Sequence, residues 1–262
     1  EALEEALGAK LDGTLALNGL TLGELEADLR LTIRAPENRS MAGPMSRAFL
    51  ALVLHRQGRR AEAAAELQQF SSQDFSILDN GAWVGASAEG YHMHDAPFSE
   101  ALVAFLRARG ARTAVDLGCG LGLYVRDLRA AGLRAGGFDG NPATREITEG
   151  RCSHLDLSRR VDFGVRWDWV LSLEVAEHIP RQFEDAFLEN LDAHACAGLV
   201  LSWGNQAGEG HVNTRPRAEV EGLFRARGFR SDEASAAALR RAARLPWLQD
   251  TVLVLERDPP LA

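Results

Sequence analysis

The stretch Ala114-Val115-Asp116-Leu117-Gly118-Cys119-Gly120-Leu121-Gly122 constrains the fold more than any other part of the chain. An apolar run ends in an acid, a glycine-dense turn follows at once, and an amphipathic run extends from Leu121 to Ala131. This order predicts a buried strand, a tight loop and a helix. Glycines at 118, 120 and 122 let the backbone take positive φ and let a ligand approach closely. The loop opens onto a helix N-terminus, where unpaired N–H groups attract a carboxylate or phosphate.

A dinucleotide site wants G-x-G-x-x-G. Here the spacing is G-x-G-x-G, with Asp116 two residues before the first glycine. That carboxylate repels a pyrophosphate and attracts a ligand carrying an ammonium and a sulfonium. Three further acids follow in order: Asp139 in Phe138-Asp139-Gly140-Asn141-Pro142, Asp156 in His154-Leu155-Asp156-Leu157-Ser158, and Glu174 after the run Trp167 to Leu173. Asp139 stands one β-α-β step beyond the loop, where an acid can bind both hydroxyls of a ribose.

With these residues the D-x-G-x-G-x-G stretch resembles motif I of the class I S-adenosylmethionine (SAM) methyltransferases. The resemblance implies an α/β fold: a Rossmann-like, seven-stranded, mostly parallel sheet with helices on both faces, plus an N-terminal helical extension. Strands are expected at 112–117, 133–138, 151–155, 167–173 and 198–203, with a last strand at 251–256 inserted antiparallel near the sheet edge. It further implies that Asp116, Gly118, Gly120 and Gly122 hold the methionyl end of SAM. Asp139, Gly140 and Asn141 would take the ribose, Asp156 and Leu157 the adenine, and Glu174 would line the cofactor.

Glu174, Glu177 and His178 are spaced i, i+3, i+4, and share one face if they begin a helix. The glycine-rich run Ser202 to Asn213 after the fifth strand would bring His211 to the same end of the sheet. Two carboxylates and two imidazoles suit a divalent cation such as Mg, Mn, Fe or Zn. The E-x-x-E-H pattern with a later histidine resembles metal-assisted O-methyltransferases, among them the small-RNA 3′-end methylase and the ubiquinone-pathway catechol methylase. Without metal, Glu174 lines the cofactor, Glu177 supports a helix N-terminus, and His178 or His211 serves as general base. Trp203, Asn205 and Asn213 are candidates for the acceptor pocket; His55 and His194 read as structural or surface residues. The span from about 90 to 256 also resembles a little-characterised group of methyltransferase-domain proteins, through Gly137 to Pro142, Leu155 to Ser158, Leu171 to Pro180, Gly210 to Asn213 and Leu245-Pro246-Trp247.

Length and composition bound the rest. A chain of 262 residues, 46% hydrophobic and 25% charged, suits one large domain with an appendage. No apolar run approaches ~20 residues, so no membrane partner is expected. No signal-peptide pattern opens the sequence. Cys119, Cys152 and Cys196 lack C-x-x-C spacing, which fits a reducing, cytoplasmic compartment; Cys119 reads as a small filler. A net charge of −8 argues against a general nucleic-acid binder. The late arginines 215, 217, 225, 227, 230, 240, 241 and 244 read as solvated helix faces or as a patch for an anionic substrate.

Residues 1–75 read as the helical extension and 76–262 as the methyltransferase domain. Leu22, Leu25 and Leu29 recur at helical spacing, and Met45–Gln57, Gly58 and Arg60–Phe70 suggest a helical hairpin. Part of it resembles a single tetratricopeptide repeat. The extension is expected to cap the catalytic domain or to bind a protein partner. Trp83, Tyr91, His92, Met93 and His94 precede a helix from Pro97 to Arg109, in a region that folds over the cofactor in many class I methyltransferases. The expected function is SAM-dependent methyl transfer to a small-molecule acceptor, at oxygen, with a divalent metal assisting. The alternatives are methylation of RNA or protein, and a non-catalytic SAM-binding subunit.

Overall fold

Strands apolar on both faces are stable only when covered on both sides, and the central sheet meets that condition. The computed structural model describes residues 26, 50, 53–71, 76–84 and 92–261. The chain divides into two units, residues 1–74 with 86–93, and residues 75–85 with 94–262. Leu22, Leu25, Leu29, Met45 and Tyr91 lie outside the described residues.

In the first unit, Val53–Arg56 is helical and α1 spans Arg60–Ser71. Gly58 lies between them at φ 78°, where the left-handed conformation ends a helix. Its N–H reaches the His55 carbonyl at 2.9 Å, and the Arg59 N–H reaches the Leu54 carbonyl at 2.9 Å. Leu50, Leu54 and Ala63 form a small core across this turn.

The second unit begins with a two-stranded hairpin, β1 (Ser76–Ile77) and β2 (Trp83–Val84). Then follow α2 (Ala96–Ala108), β3 (Thr113–Leu117), α3 (Leu123–Ala130), β4 (Arg134–Asp139), α4 (Thr144–Ile147), β5 (Ser153–His154) and β6 (Trp167–Ser172). Two single turns of 3-10 helix, Ala176–His178 and Arg181–Phe183, lead into α5 (Glu184–His194) and β7 (Ala195–Leu201). The chain continues with α6 (Arg217–Arg225), β8 (Phe229–Ser231), α7 (Glu233–Ala242), α8 (Pro246–Thr251) and β9 (Leu253–Arg257).

The sheet order is β5-β4-β3-β6-β7-β9-β8. Neighbours from β5 to β7 are parallel, whereas β9 runs antiparallel to both β7 and β8. The expected Rossmann-like sheet of seven mostly parallel strands is therefore present. Strands β3, β4, β6 and β7 begin or end one to three residues from expectation, β7 at 195–201 rather than 198–203, and three further differences have a local reason. The helix expected from Leu121 starts at Leu123 because Gly122 takes φ 65°. The strand expected over 151–155 shortens to two residues, after Glu149 and Gly150 turn the chain at φ 54° and 77°. The last strand shifts to 253–257 because Pro246 nucleates α8 just before it.

Alternation along the strands fills two cores. Trp169, Leu171, Val200 and Val254 face Phe98, Leu102, Val125, Leu128 and Leu239. Val115, Leu117, Val170, Leu199, Leu201 and Leu255 face Phe187, Leu191, Val220 and Phe224. Each fully buried side chain of this kind contributes about 1.5–3 kcal/mol. His194 is buried and accepts the Phe163 N–H at 3.3 Å, in keeping with a structural role. Arg215, Arg217, Arg227, Arg230 and Arg240 each pair with a carboxylate, so these late arginines are ion-paired side chains, not a bare cationic patch. No helix among the described residues is long and apolar enough to cross a membrane.

Asp95 ties the far ends of this unit together. One carboxylate oxygen caps α2 through the Phe98 N–H at 3.0 Å; the other accepts from the Arg244 and Leu245 N–H groups at 2.6 and 2.7 Å. Losing a cap and two buried acceptor bonds should cost about 2–4 kcal/mol. Urea unfolding of Asp95→Ala measures it, and a loss below about 0.5 kcal/mol, the usual size for a neutral surface change, would show that this junction bears no strain.

Candidate active site

Open parallel sheets bind ligands beyond the carboxyl ends of their strands, and the acids of interest all lie there. After β3 the loop Gly118–Gly122 turns with φ of 93° at Gly118 and 49° at Gly120. A Cβ on Gly118 would stand 2.2 Å from Val175 Cγ2, so only glycine lets the loop pass the segment after β6. The Gly118 and Cys119 N–H groups both donate to the Phe138 carbonyl, at 2.7 and 3.0 Å. Cys119 is buried, its Sγ 3.1 Å from where a Cβ on Gly137 would sit; it fills space, as expected.

Asp139 ends β4, and its two oxygens accept from the Gly120 N–H at 2.8 Å and the Asn141 N–H at 2.9 Å. The acid thereby fixes the glycine loop to the neighbouring strand. Asn141 is buried, and its side-chain oxygen accepts the Ala143 N–H at 2.9 Å, which makes it a turn-forming residue. Asp156 follows β5 and accepts from the Ser158 N–H and hydroxyl at 3.0 and 2.6 Å. Burial pushes the Asp156 carboxyl up, but bonds from Ser158 and Asn80 outweigh it and hold the group below the usual range. Leu157 beside it is buried.

Asp116 is 2% exposed, and its Oδ1 has no hydrogen-bond partner among the described residues. Burial, followed by the nearby Cys152 and Asp139, raises its pKa well above the ordinary carboxylate value. A buried carboxylate oxygen without a donor is costly, and a cationic partner would offset that cost.

The second group is Glu177, His178 and His211, whose ligand atoms all lie within 4.8 Å of one another. The helix expected to align Glu174 with Glu177 and His178 is absent. A single 3-10 turn spans Ala176–His178, and Glu174 precedes it at φ 55°. That left-handed, non-glycine conformation costs on the order of 1–3 kcal/mol. It is held by the Glu174 N–H donating to Ser202 Oγ at 2.7 Å; the Thr251 hydroxyl, which donates to the Trp247 carbonyl at 2.7 Å, lies 3.2 Å from Glu174 Oε1. Glu174 therefore falls outside the three-residue group, although its charge acts on Glu177.

Glu177 is fully buried, and neither carboxylate oxygen has a well-formed hydrogen bond from the described residues. Burial first, and then the charge of Glu174, raise its pKa well above the usual value; the backbone N–H groups of Glu177 and Gly204 only partly oppose this. His178 Nδ1 donates to the Gly210 carbonyl at 3.1 Å and His211 Nδ1 to the Gln206 carbonyl at 2.7 Å. Because a carbonyl can only accept, both rings carry a proton on Nδ1, the tautomer in which a neutral imidazole ligates metal through Nε2. Glycines shape the space around them. A Cβ on Gly204 would stand 3.0 Å from both Glu177 Oε1 and His211 Cε1, and one on Gly208 2.7 Å from His211 Nε2. A buried carboxylate with no well-formed hydrogen bond, beside two imidazoles, is a donor set that fits a divalent cation.

Two candidates for the acceptor pocket lie elsewhere. Trp203 and Asn213 are 2% and 1% exposed, behind the His211 loop, where Trp203 Nε1 donates to the Asn213 carbonyl at 2.6 Å. Asn205 is exposed and bonds Asp250 on α8 at 2.7 Å. The sequence reading missed the β1–β2 hairpin, because its strands are only two residues long and the contacts that place it at the site are distant in sequence. A Cβ on Gly140 would meet Ala82 Cβ at 2.7 Å, one on Gly81 the His178 carbonyl at 2.0 Å, and one on Gly210 Ile77 Cδ1 at 2.6 Å. Trp83 stands edge-on to His178, ring centroids 5.1 Å apart. His94 bonds Asp127 at 2.9 Å and packs on Tyr124, a local structural role.

The raised pKa of Asp116 gives a stability test. The folded protein holds this proton more tightly than the unfolded chain, so ionising Asp116 lowers stability once pH exceeds the ordinary carboxylate range. Asp116→Asn should raise the ligand-free melting temperature at pH 8 by about 2–4 °C, the shift that about 1 kcal/mol produces at this size. The gain should shrink toward pH 4; a pH-independent shift would show that charge is not its cause.

No known family profile matches the chain, and no curated protein matches it. Solved structures do. Magnesium protoporphyrin IX methyltransferase from Synechocystis PCC 6803, with bound SAH, is 20% identical over 61% of this chain and 81% of its own, with a TM-score of 0.47. A SAM-bound amino pentose methyltransferase from Micromonospora echinaspora is 19% identical over 62% and 92%, with a TM-score of 0.48. A sugar N-methyltransferase from Streptoalloteichus sp ATCC 53650 is 16% identical over 62% and 87%, with a TM-score of 0.49. The sheet order β5-β4-β3-β6-β7-β9-β8, with β9 alone reversed and a glycine loop after β3, is the Rossmann-like α/β fold that the sequence resemblance to class I SAM-dependent methyltransferases implies.

Proposed function

We propose that this protein transfers the methyl group of SAM to a hydroxyl of a small-molecule acceptor, with a divalent cation at Glu177, His178 and His211. The observation that carries the reading is the row of acids at successive strand ends: Asp116 on β3, Asp139 on β4 and Asp156 after β5, around a glycine loop open to close approach. Asp116 would face the ammonium of the methionyl end, Asp139 the ribose and Asp156 the adenine edge. The remaining acceptor capacity of Asp139, beyond its two backbone bonds, suits two hydroxyl donors.

Methyl transfer is an in-line displacement at the sulfonium carbon, and positioning supplies most of its acceleration. Glu174, strained at the end of β6, borders both the cofactor side and the cation group. The bound cation would act as a Lewis acid that favours the deprotonated acceptor oxygen. His178 and His211 each donate Nδ1–H to a loop carbonyl, which would leave Nε2 as the acceptor atom of the neutral ring for a cation. Three free cysteines, two of them buried, support a reducing compartment such as the cytoplasm. The N-terminal helical unit is read as a cap or partner-binding extension.

Two measurements test this reading. Asp139→Ala should weaken SAM binding at least tenfold in isothermal titration, the loss expected for hydrogen bonds to a charged group; unchanged affinity removes the ribose assignment. Radiolabelled SAM incubated with cell extract should label the small-molecule fraction, and chelator or Glu177→Gln should abolish the label. Chelator-resistant label would leave a histidine as the base, and label in RNA or protein would overturn the choice of acceptor.

A further inference from the structure

His211 sits on a loop whose sequence, Gly204-Asn205-Gln206-Ala207-Gly208-Glu209-Gly210, has little to hold it still. What fixes the loop lies just beyond it. The backbone N–H groups of Val212 and Asn213 both donate to the Glu177 carbonyl at 2.9 Å. The Asn213 carbonyl accepts the Trp203 indole N–H at 2.6 Å, and its Nδ2 donates to Glu184 Oε2 at 2.8 Å. Glu184, the first residue of α5, is gripped by the Arg215 fork, Nε to Oε2 and Nη2 to Oε1, each at 2.8 Å. Burial pushes the Glu184 carboxyl up, but Arg215 and Asn213 outweigh it and hold the group below the usual range. The Arg215 N–H closes the loop base on the Gly204 carbonyl at 3.3 Å, and its guanidinium lies 5.9 Å over the Trp203 ring.

Asn213 is thus one buried residue bonded to the Glu177 backbone, to the β7 exit at Trp203 and to α5. It stands two residues after His211. We propose that Asn213 is the positioning residue that holds His211 against the Glu177–His178 turn, with Glu184 and Arg215 fixing Asn213 in turn; its consequence for cation affinity rests on the reading of that group as a cation site. An apolar side chain would fill the same space but could not donate to Glu184. Without that bond the loop slides on the Glu177 carbonyl, and the Gly210 and Gln206 carbonyls that fix both imidazoles move with it. Partners of this kind, bonded to a ligand's support, change metal affinity by about 10–100-fold when removed.

The test uses the full chain, metal-free, as wild type, Asn213→Ala and the milder Arg215→Lys, which keeps the charge but loses the fork. Ring nitrogen–proton correlation spectra report the histidine tautomers. In wild type, His178 and His211 should both carry the proton on Nδ1. In Asn213→Ala both should average between tautomers, while His194, whose Nδ1 bonds the Asn190 carbonyl at 2.8 Å, stays unchanged as internal control. A Co²⁺ titration followed by absorption should then show affinity lowered about 10–100-fold in Asn213→Ala and less in Arg215→Lys. Unmoved signals for His178 and His211 in a folded variant would overturn the proposal. If Asn213→Ala does not fold, unmoved signals in Arg215→Lys do the same. If the signals move but wild type takes no Co²⁺, the positioning role stands and the cation reading falls.

Discussion

Two carboxylates, Asp116 and Glu177, are buried at the carboxyl end of one sheet, with Oδ1 of the first and both oxygens of the second lacking a well-formed hydrogen bond among the described residues. Folding alone does not favour this arrangement, because a buried acid without partners is held at the expense of stability. The surrounding structure makes it possible. Strands covered on both faces supply the stability, and the strand ends, where the chain must turn, supply the positions. The two acids also differ in kind. Asp116 lies within the regular register of β3, opposite Gly137 and Leu171, whereas Glu177 lies on a single turn held by distant backbone.

Glycine is the complementary material of the site. Gly118, Gly204 and Gly208 each occupy a place where an added carbon would strike Val175, Glu177 or His211. Their work is to leave volume empty in an otherwise close-packed interior. Hydrogen bonds fix the shape of that volume. Asp139 bonds the Gly120 and Asn141 N–H groups, and the Glu177 carbonyl bonds those of Val212 and Asn213.

The sheet and the first half of the site were legible because their signals are local. Asp116, the three glycines and Asp139 follow one another within single strand–loop–helix steps, where period and spacing carry the information. Glu174 was harder: its spacing to Glu177 and His178 suits a helix, but a tertiary bond to Ser202 holds it in a left-handed turn instead. Trp203 and Asn213 looked like pocket residues by position, yet burial decides their role, and burial is set by α5 and β7 packing around them. Strand β8, only three residues long, exists through its pairing with β9 and carries no pattern of its own. The hairpin contacts of Gly81 and Ala82 join parts of the chain far apart in sequence, and no window along the sequence contains both partners.

That hairpin also touches both halves of the site. Its Asn80 and Ala82 rest on the Asp156 and Gly140 end, while Gly81 and Ile77 rest on His178 and Gly210. A small element that touches both ends cannot adjust to an occupant at one without altering its fit at the other. Occupants of the two ends, if they bind as proposed, would then be linked, and linkage is reciprocal: whatever factor the first contributes to the affinity of the second, the second returns to the first.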